Sequence, residues 1–142
     1  MANVVMNKFK TENMRGNVNL ASDTINVALI NNIWGVSSSD QLDDLDYFSS
    51  ISATWETTGT GYTAGGSALT GTAVVEDDTG NRGIFSASDV TWTTATVSAY
   101  GAALYRPSDS LLVCLIDFSG QKSSTSGDFK IQWNANGILN LT

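Results

Sequence analysis

Histidine is absent from this sequence, and its one cysteine, Cys114, sits within the apolar run Leu111-Leu112-Val113-Cys114-Leu115-Ile116. Without imidazole the chain lacks the side chain best suited to proton transfer near neutral pH, which is also the commonest metal ligand. A thiol walled in by leucine and valine disfavours the thiolate, its reactive form. The usual nucleophile–base pairs cannot be assembled, so the expectation is a non-enzyme with no catalytic residue, cofactor or metal site. One cysteine closes no internal disulfide, and nothing calls for an oxidising compartment. A single proline, Pro107, against thirteen glycines points to tight turns and no stiff linker. The longest apolar run, residues 111–116, is far too short to cross a bilayer, so no membrane partner is expected. The N-terminus holds no apolar run longer than Val4-Val5-Met6, which argues against a signal peptide and for a soluble protein made in a cytoplasm.

Positive charge is scarce too. Seven lysines and arginines face fourteen acids, a net charge of −7, which argues against nucleic acid as a partner. The imbalance is uneven. Lys8, Lys10 and Arg15 against Glu12 give the first sixteen residues +2; the remaining four bases against thirteen acids give −9. Residues 1–16 thus read either as a basic anchoring segment or as a solvated helix that happens to be lysine-rich.

What is present fits one β-rich domain over residues 1–142. Residues 4–14 have weak helical character, with Val5 and Phe9 one turn apart, and Gly16-Asn17 ends that segment. In residues 24–30, Ile25, Val27 and Leu29 alternate with polar or small residues, the pattern of a half-buried strand. Residues 38–51 carry the best helix signal: Ser38 and Gln41 form a capping box, Asp40 and Asp43 complement the dipole, and Leu42, Leu45, Phe48 and Ile51 make one apolar stripe.

Strands follow at residues 67–76, 82–86, 90–94, 97–105, 111–118, 128–133 and 138–141, separated by turns such as Asp77-Asp78-Thr79-Gly80-Asn81 and Pro107-Ser108-Asp109. Residues 111–118 are apolar on both faces, as in a central strand. The whole predicts an antiparallel β-sandwich or barrel of about seven to nine short strands, with one or two helices near the N-terminus. Phe129, Ile131, Trp133, Leu112, Cys114 and Ile116 are the expected core.

Each candidate for chemistry has a plainer reading. Gly59, Gly61, Gly65 and Gly66 lack the following helix and the lysine of a phosphate-binding loop, and read as a hairpin or interface loop. Two acidic clusters, Asp40, Asp43, Asp44 and Asp46, and Glu76, Asp77 and Asp78, do not match calcium-loop spacing. No pair of carboxylates stands out as a glycosidase dyad. Trp92 and Trp133 fall at inward positions, which leaves Trp34 and Trp55 as the tryptophans for an exposed or interface role.

Five segments, read in order, carry a likeness: Asn7-Lys8-Phe9; Ala21-Ser22-Asp23-Thr24-Ile25-Asn26-Val27-Ala28-Leu29; Gly59-Thr60-Gly61-Tyr62-Thr63-Ala64-Gly65-Gly66; Ala87-Ser88-Asp89-Val90-Thr91-Trp92; and Gly127-Asp128-Phe129-Lys130-Ile131-Gln132-Trp133 with Gly137-Ile138-Leu139. Together they resemble a family of small structural proteins of tailed bacteriophages. A more polar first helix and the insertion-like residues 33–37 depart from that pattern. The resemblance implies a virion component on the capsid exterior: a decoration, or cement, protein bound to the major capsid protein as a homo-oligomer, with a trimer favoured. The alternatives are a carbohydrate- or receptor-binding module on the virion and a tail or neck component. The candidate interface comprises Val5, Lys8, Phe9, Lys10, Arg15, Trp34, Trp55 and Tyr62.

Overall fold

A computed structural model describes residues 3–31 and 42–142. The chain is mainly β, built from two antiparallel sheets in a sandwich-like arrangement. In order, the elements are β1 (Val4–Val5), α1 (Asn7–Met14), β2 (Asn26–Ile30), a 3-10 turn (Phe48–Ser50), α2 (Ser52–Trp55), β3 (Ser67–Ala68), β4 (Ala73–Asp77), β5 (Arg82–Ser86), β6 (Val90–Arg106), β7 (Leu111–Ile131) and β8 (Leu139–Leu141). The larger sheet runs β1-β7-β6-β2-β3 and the smaller β4-β5-β8.

The frame is one long hairpin. Residues 90–94 and 97–105, expected as two strands, are a single strand of 17 residues, and residues 111–131 form its 21-residue partner. The interruptions read from sequence are bulges. Thr94 takes φ 50°, and register shifts fall on either side of Ala95, yet pairing continues from Trp92↔Phe129 to Ala95↔Gly127 and Val97↔Ser124. Such an extra residue bends a strand without ending it. Residues 119–127 escaped detection because most of them are exposed, leaving no alternation to read.

The hairpin is also folded over. Phe118 and Phe129 lie on the same strand, and at about 3.3 Å per residue a straight strand would hold them roughly 36 Å apart. Their ring centroids are 6.3 Å apart. The bend lies where one residue of β6, Tyr100, faces residues 118–121 of β7, with Ser119 at φ 58° and Gly120 at φ 128°.

Strand β2 is buried on both faces from Val27 to Ile30, so Ala28 is not turned to solvent as the alternation suggested. It pairs with the C-terminal end of β6, Asn26↔Tyr105 through Ile30↔Gly101, and with β3 on its other side, which makes it an interior strand. The expected strand at 67–76 is two strands in different sheets: β3 pairs with β2, β4 pairs with β5, and Gly71 at φ 60° turns the chain between them.

The expected helix at residues 38–51 is not continuous over its described part. Leu42 is followed by turns, Tyr47 is extended at φ −132° and bridges to Leu111, and a 3-10 turn begins at Phe48. The apolar stripe itself packs inward: Leu42, Phe48 and Ile51 are buried and Leu45 lies against the core. Phe48 stacks on Tyr105 with centroids 4.0 Å apart. That stack and the Leu111 bridge hold the segment against β6 and β7. The capping box at Ser38 and Gln41 lies outside the described residues, as does Asp40.

Of the expected core, Phe129, Ile131, Leu112 and Cys114 are buried. Ile116 and Trp133 are only half-buried against it. Trp133 lies two residues beyond the end of β7, it lines a groove, and its indole N–H donates to the Ser88 carbonyl at 2.9 Å.

Candidate functional site

The N-terminal segment docks on its own domain. Val4 and Val5 pair with Leu115 and Cys114 of β7, Met6 N–H donates to the Val113 carbonyl at 3.1 Å, and Val4, Met6 and Phe9 are buried. Asn7 joins it to the stretch that follows Leu42, donating its backbone N–H to the Asp43 carbonyl at 2.9 Å and its side-chain amide to Asp44 at 3.1 Å. Of the two ways the apolar strip of residues 1–16 could gain order, on the chain's own sheet or on a partner, the structure shows the first. Phe9 has its pocket already, and an eight-residue helix gains its order from packing.

The candidate interface therefore splits. Phe9 is buried and Val5 half-buried; Lys10 and Arg15 point outward, and Lys8 Nζ sits 5.7 Å from the centroid of Tyr47. Trp55 and Tyr62 are half-buried on the β2 side of the large sheet, whereas α1 lies against β7. Trp34 is outside the described residues.

Tyr62 belongs to a polar clamp. Its hydroxyl donates to Glu56 Oε1 at 2.7 Å and accepts the Leu29 N–H at 3.0 Å. The same Glu56 oxygen accepts the Gly65 N–H at 2.6 Å, and the Tyr105 hydroxyl donates to the Gly65 carbonyl at 2.6 Å. Burial and the neighbouring Glu56 push the Tyr62 hydroxyl well above its ordinary pKa, so it stays a neutral donor. The clamp presses the glycine- and threonine-rich loop onto β6. Thr57 Oγ1 donates to the Ser98 carbonyl at 2.6 Å, and Thr96 N–H donates to the Thr60 carbonyl at 2.9 Å. A side chain at Gly59 would collide with the Thr96 carbonyl, and one at Gly66, which has φ 76°, with the Val27 carbonyl. These glycines serve close packing of backbone on backbone.

The ionisable groups are spent in similar ways. Arg106 reaches Asp23 at 2.8 Å, Asp109 at 2.7 Å and the Asn17 carbonyl at 2.8 Å, tying the 17–23 loop to the β6–β7 turn. Asp77 pairs with Arg82 at 2.9 Å and Asp89 with Lys130 at 3.2 Å. The Asp46 carbonyl accepts the Leu112 N–H. Among the described residues no group of three or more Cys, Asp or Glu side chains is placed to hold a metal ion. No described helix is long and apolar enough to cross a membrane.

What the sequence did not reveal is a groove of about 420 Å³ where β1, both halves of β7 and the chain leading into β8 converge. Ile116, Phe118, Trp133, Ile138 and Leu139 contribute apolar surface, and Asn3, Gln132, Asn134 and Asn140 contribute amides. None of its fifteen lining residues is charged. The signal available was the amide-rich stretch Gln132-Trp133-Asn134-Ala135-Asn136, which read as a strand end and a turn.

No family model matches this chain, and neither the curated proteins nor the solved structures give a match. The likeness to phage structural proteins rests on the five segments quoted above.

Proposed function

We propose that this chain is a capsid decoration protein of a tailed-phage head, a non-enzymatic component that binds the major capsid protein and its own copies on the shell exterior. The observation that carries this reading is the edge strand β4. Val74 and Val75 are 51% and 52% exposed although they point to opposite faces, and the outer edge of β4 has no strand partner among the described residues. Soluble proteins commonly blunt such edges with charge or proline; here Glu76 and Asp77 charge one end of the strand, and the exposed valines leave the rest open to a protein partner. The folded-over hairpin and the clamped loop give the rigid body that a lattice clasp needs. Purified chain added to heads that lack it tests the proposal: co-sedimentation with the heads at saturable stoichiometry, and a raised temperature of head disruption, are expected. Heads that bind none of it would end the decoration reading.

A second reading draws on the groove. Aromatic and aliphatic surface rimmed by four uncharged amides suits a neutral glycan, whose hydroxyls need both donors and acceptors. Titration with neutral oligosaccharides, followed by tryptophan fluorescence in the parent and in Trp133→Phe, separates this reading from the first.

A further inference from the structure

We propose that copies of this chain associate head to tail, the acidic β4–β5 hairpin of one copy docking on the basic face of α1 in the next. Helix α1 buries Phe9 and leaves Met14 80% exposed. Lys10 lies one helical turn before Met14 and so shares its face, and Arg15 follows at 64% side-chain exposure. Glu12 offsets part of this charge by pairing with Arg15 at 3.0 Å and Asp44 lies against the start of the helix through Asn7, so the positive excess is the charge of Lys10 and Arg15 toward the Met14 end. The hairpin is its counterpart. Val74 and Val75 stand half exposed beside Glu76 and Asp78, both exposed. Asp77 is held by Arg82, so Glu76 and Asp78 are the acids left to meet a partner.

Each patch joins exposed apolar surface to charge, and the signs are opposite. Such complementarity selects one surface against the other and suppresses like-with-like pairing. Hairpin against hairpin would bring together acidic surfaces whose nearby cation, Arg82, is already paired. Helix against helix would bring together two basic ones. A contact between two different patches is heterologous, so it closes into a ring or propagates along a surface. One helix face and one hairpin bury less than a stable free dimer needs; the contact is therefore weak in solution and multiplied where copies stand side by side.

The inference concerns the free chain, so its test is independent of head binding. Sedimentation at concentrations up to about 1 mM, where contacts worth about 4 kcal/mol become visible, is run in low and high salt. The parent, Lys10→Glu with Arg15→Glu, Glu76→Lys with Asp78→Lys, and an equimolar mixture of the two double variants are compared. Reversible association of the parent that weakens with salt is expected, with a loss of roughly tenfold in either double variant. The mixture should regain association, because each variant supplies the surface its partner needs. Met14→Ser and Val75→Thr, at exposed positions, should each weaken association while leaving the melting temperature in place. A parent that stays monomeric throughout, double variants that associate as the parent does, or a mixture that regains nothing would each overturn the proposal.

Discussion

Phe118 and Phe129 belong to one strand, eleven residues apart, and meet with ring centroids 6.3 Å from each other. Trp92 joins from the partner strand, its centroid 6.2 Å from Phe129. The aromatic cluster holds the two halves of β7 together, and the backbone at Ser119-Gly120 lets them meet. Phe129→Ala should therefore cost about 3–5 kcal/mol, the usual penalty for emptying a buried aromatic site. Gly120 tests the hinge separately: a Cβ there meets nothing within 4 Å, so the penalty of Gly120→Ala is purely that of its positive φ, about 1–3 kcal/mol. Urea unfolding reads both. A Gly120→Ala variant as stable as the parent would show that the bend tolerates an ordinary residue.

The clamp on the glycine-rich loop offers a second test. Tyr62→Phe removes the acceptor for the buried Leu29 N–H and the donor to Glu56, for an expected loss of about 1–3 kcal/mol. Gly66→Ala should be worse, since it adds a collision with the Val27 carbonyl to a strained φ. Limited proteolysis should cut residues 57–66 faster in Tyr62→Phe than in the parent. Equal cutting would mean that Glu56 and Gly65 hold the loop without the tyrosine.

Acid should weaken the fold through the Arg106 cluster. The backbone bond from Asn19 and the Arg106 guanidinium hold Asp23 below its ordinary value of 3.8, and Arg106 does the same for Asp109. A carboxylate whose pKa is lower in the folded state contributes stability that is complete above its unfolded value and lost as pH falls through the folded one. Stability should thus hold above about pH 5 and decline below pH 4. Arg106→Gln should flatten that decline by no more than about 1 kcal/mol, because both carboxylates reach solvent. Urea midpoints against pH for the parent and variant check it; parallel curves would remove Arg106 from the acid response.

How much of this was legible depended on where each side chain points. Leu112, Cys114, Phe129 and Ile131 announced themselves because apolar residues in a strand have one place to go. The stripe of Leu42, Phe48 and Ile51 was read correctly as buried and wrongly as one helix, since spacing reports a face and not the backbone that presents it. The joining of four expected strands into β6 and β7 was hidden in Thr94 and Ser119-Gly120, whose left-handed turns look like loop chemistry. The groove was invisible because its walls are about 15 to 25 residues apart in β7 and the chain after it, and more than 100 from Asn3. Trp133 illustrates the limit: its alternation promised core, yet β7 ends at Ile131 and the indole sits half-buried in the groove lining.

Cys114 gives the last prediction. It pairs with Leu104 of β6 and with Val5 of the short edge strand β1, which flank it on either side. Only 3% of it is exposed although it contributes to the floor of the groove. Burial pushes its thiol up to about 12 from an ordinary 9.0, so near pH 8 the folded protein holds far less thiolate than the unfolded chain. Thiol reagents should label the native protein only through opening events, and labelling should accelerate with urea in step with global unfolding. Val5→Ala probes the route. If β1 alone shields the sulfur, this variant should label faster with unchanged global stability; if the whole sheet must open, labelling should follow stability alone. Prompt stoichiometric labelling of the parent in native buffer would place Cys114 at an accessible wall of the groove and contradict its position in the core.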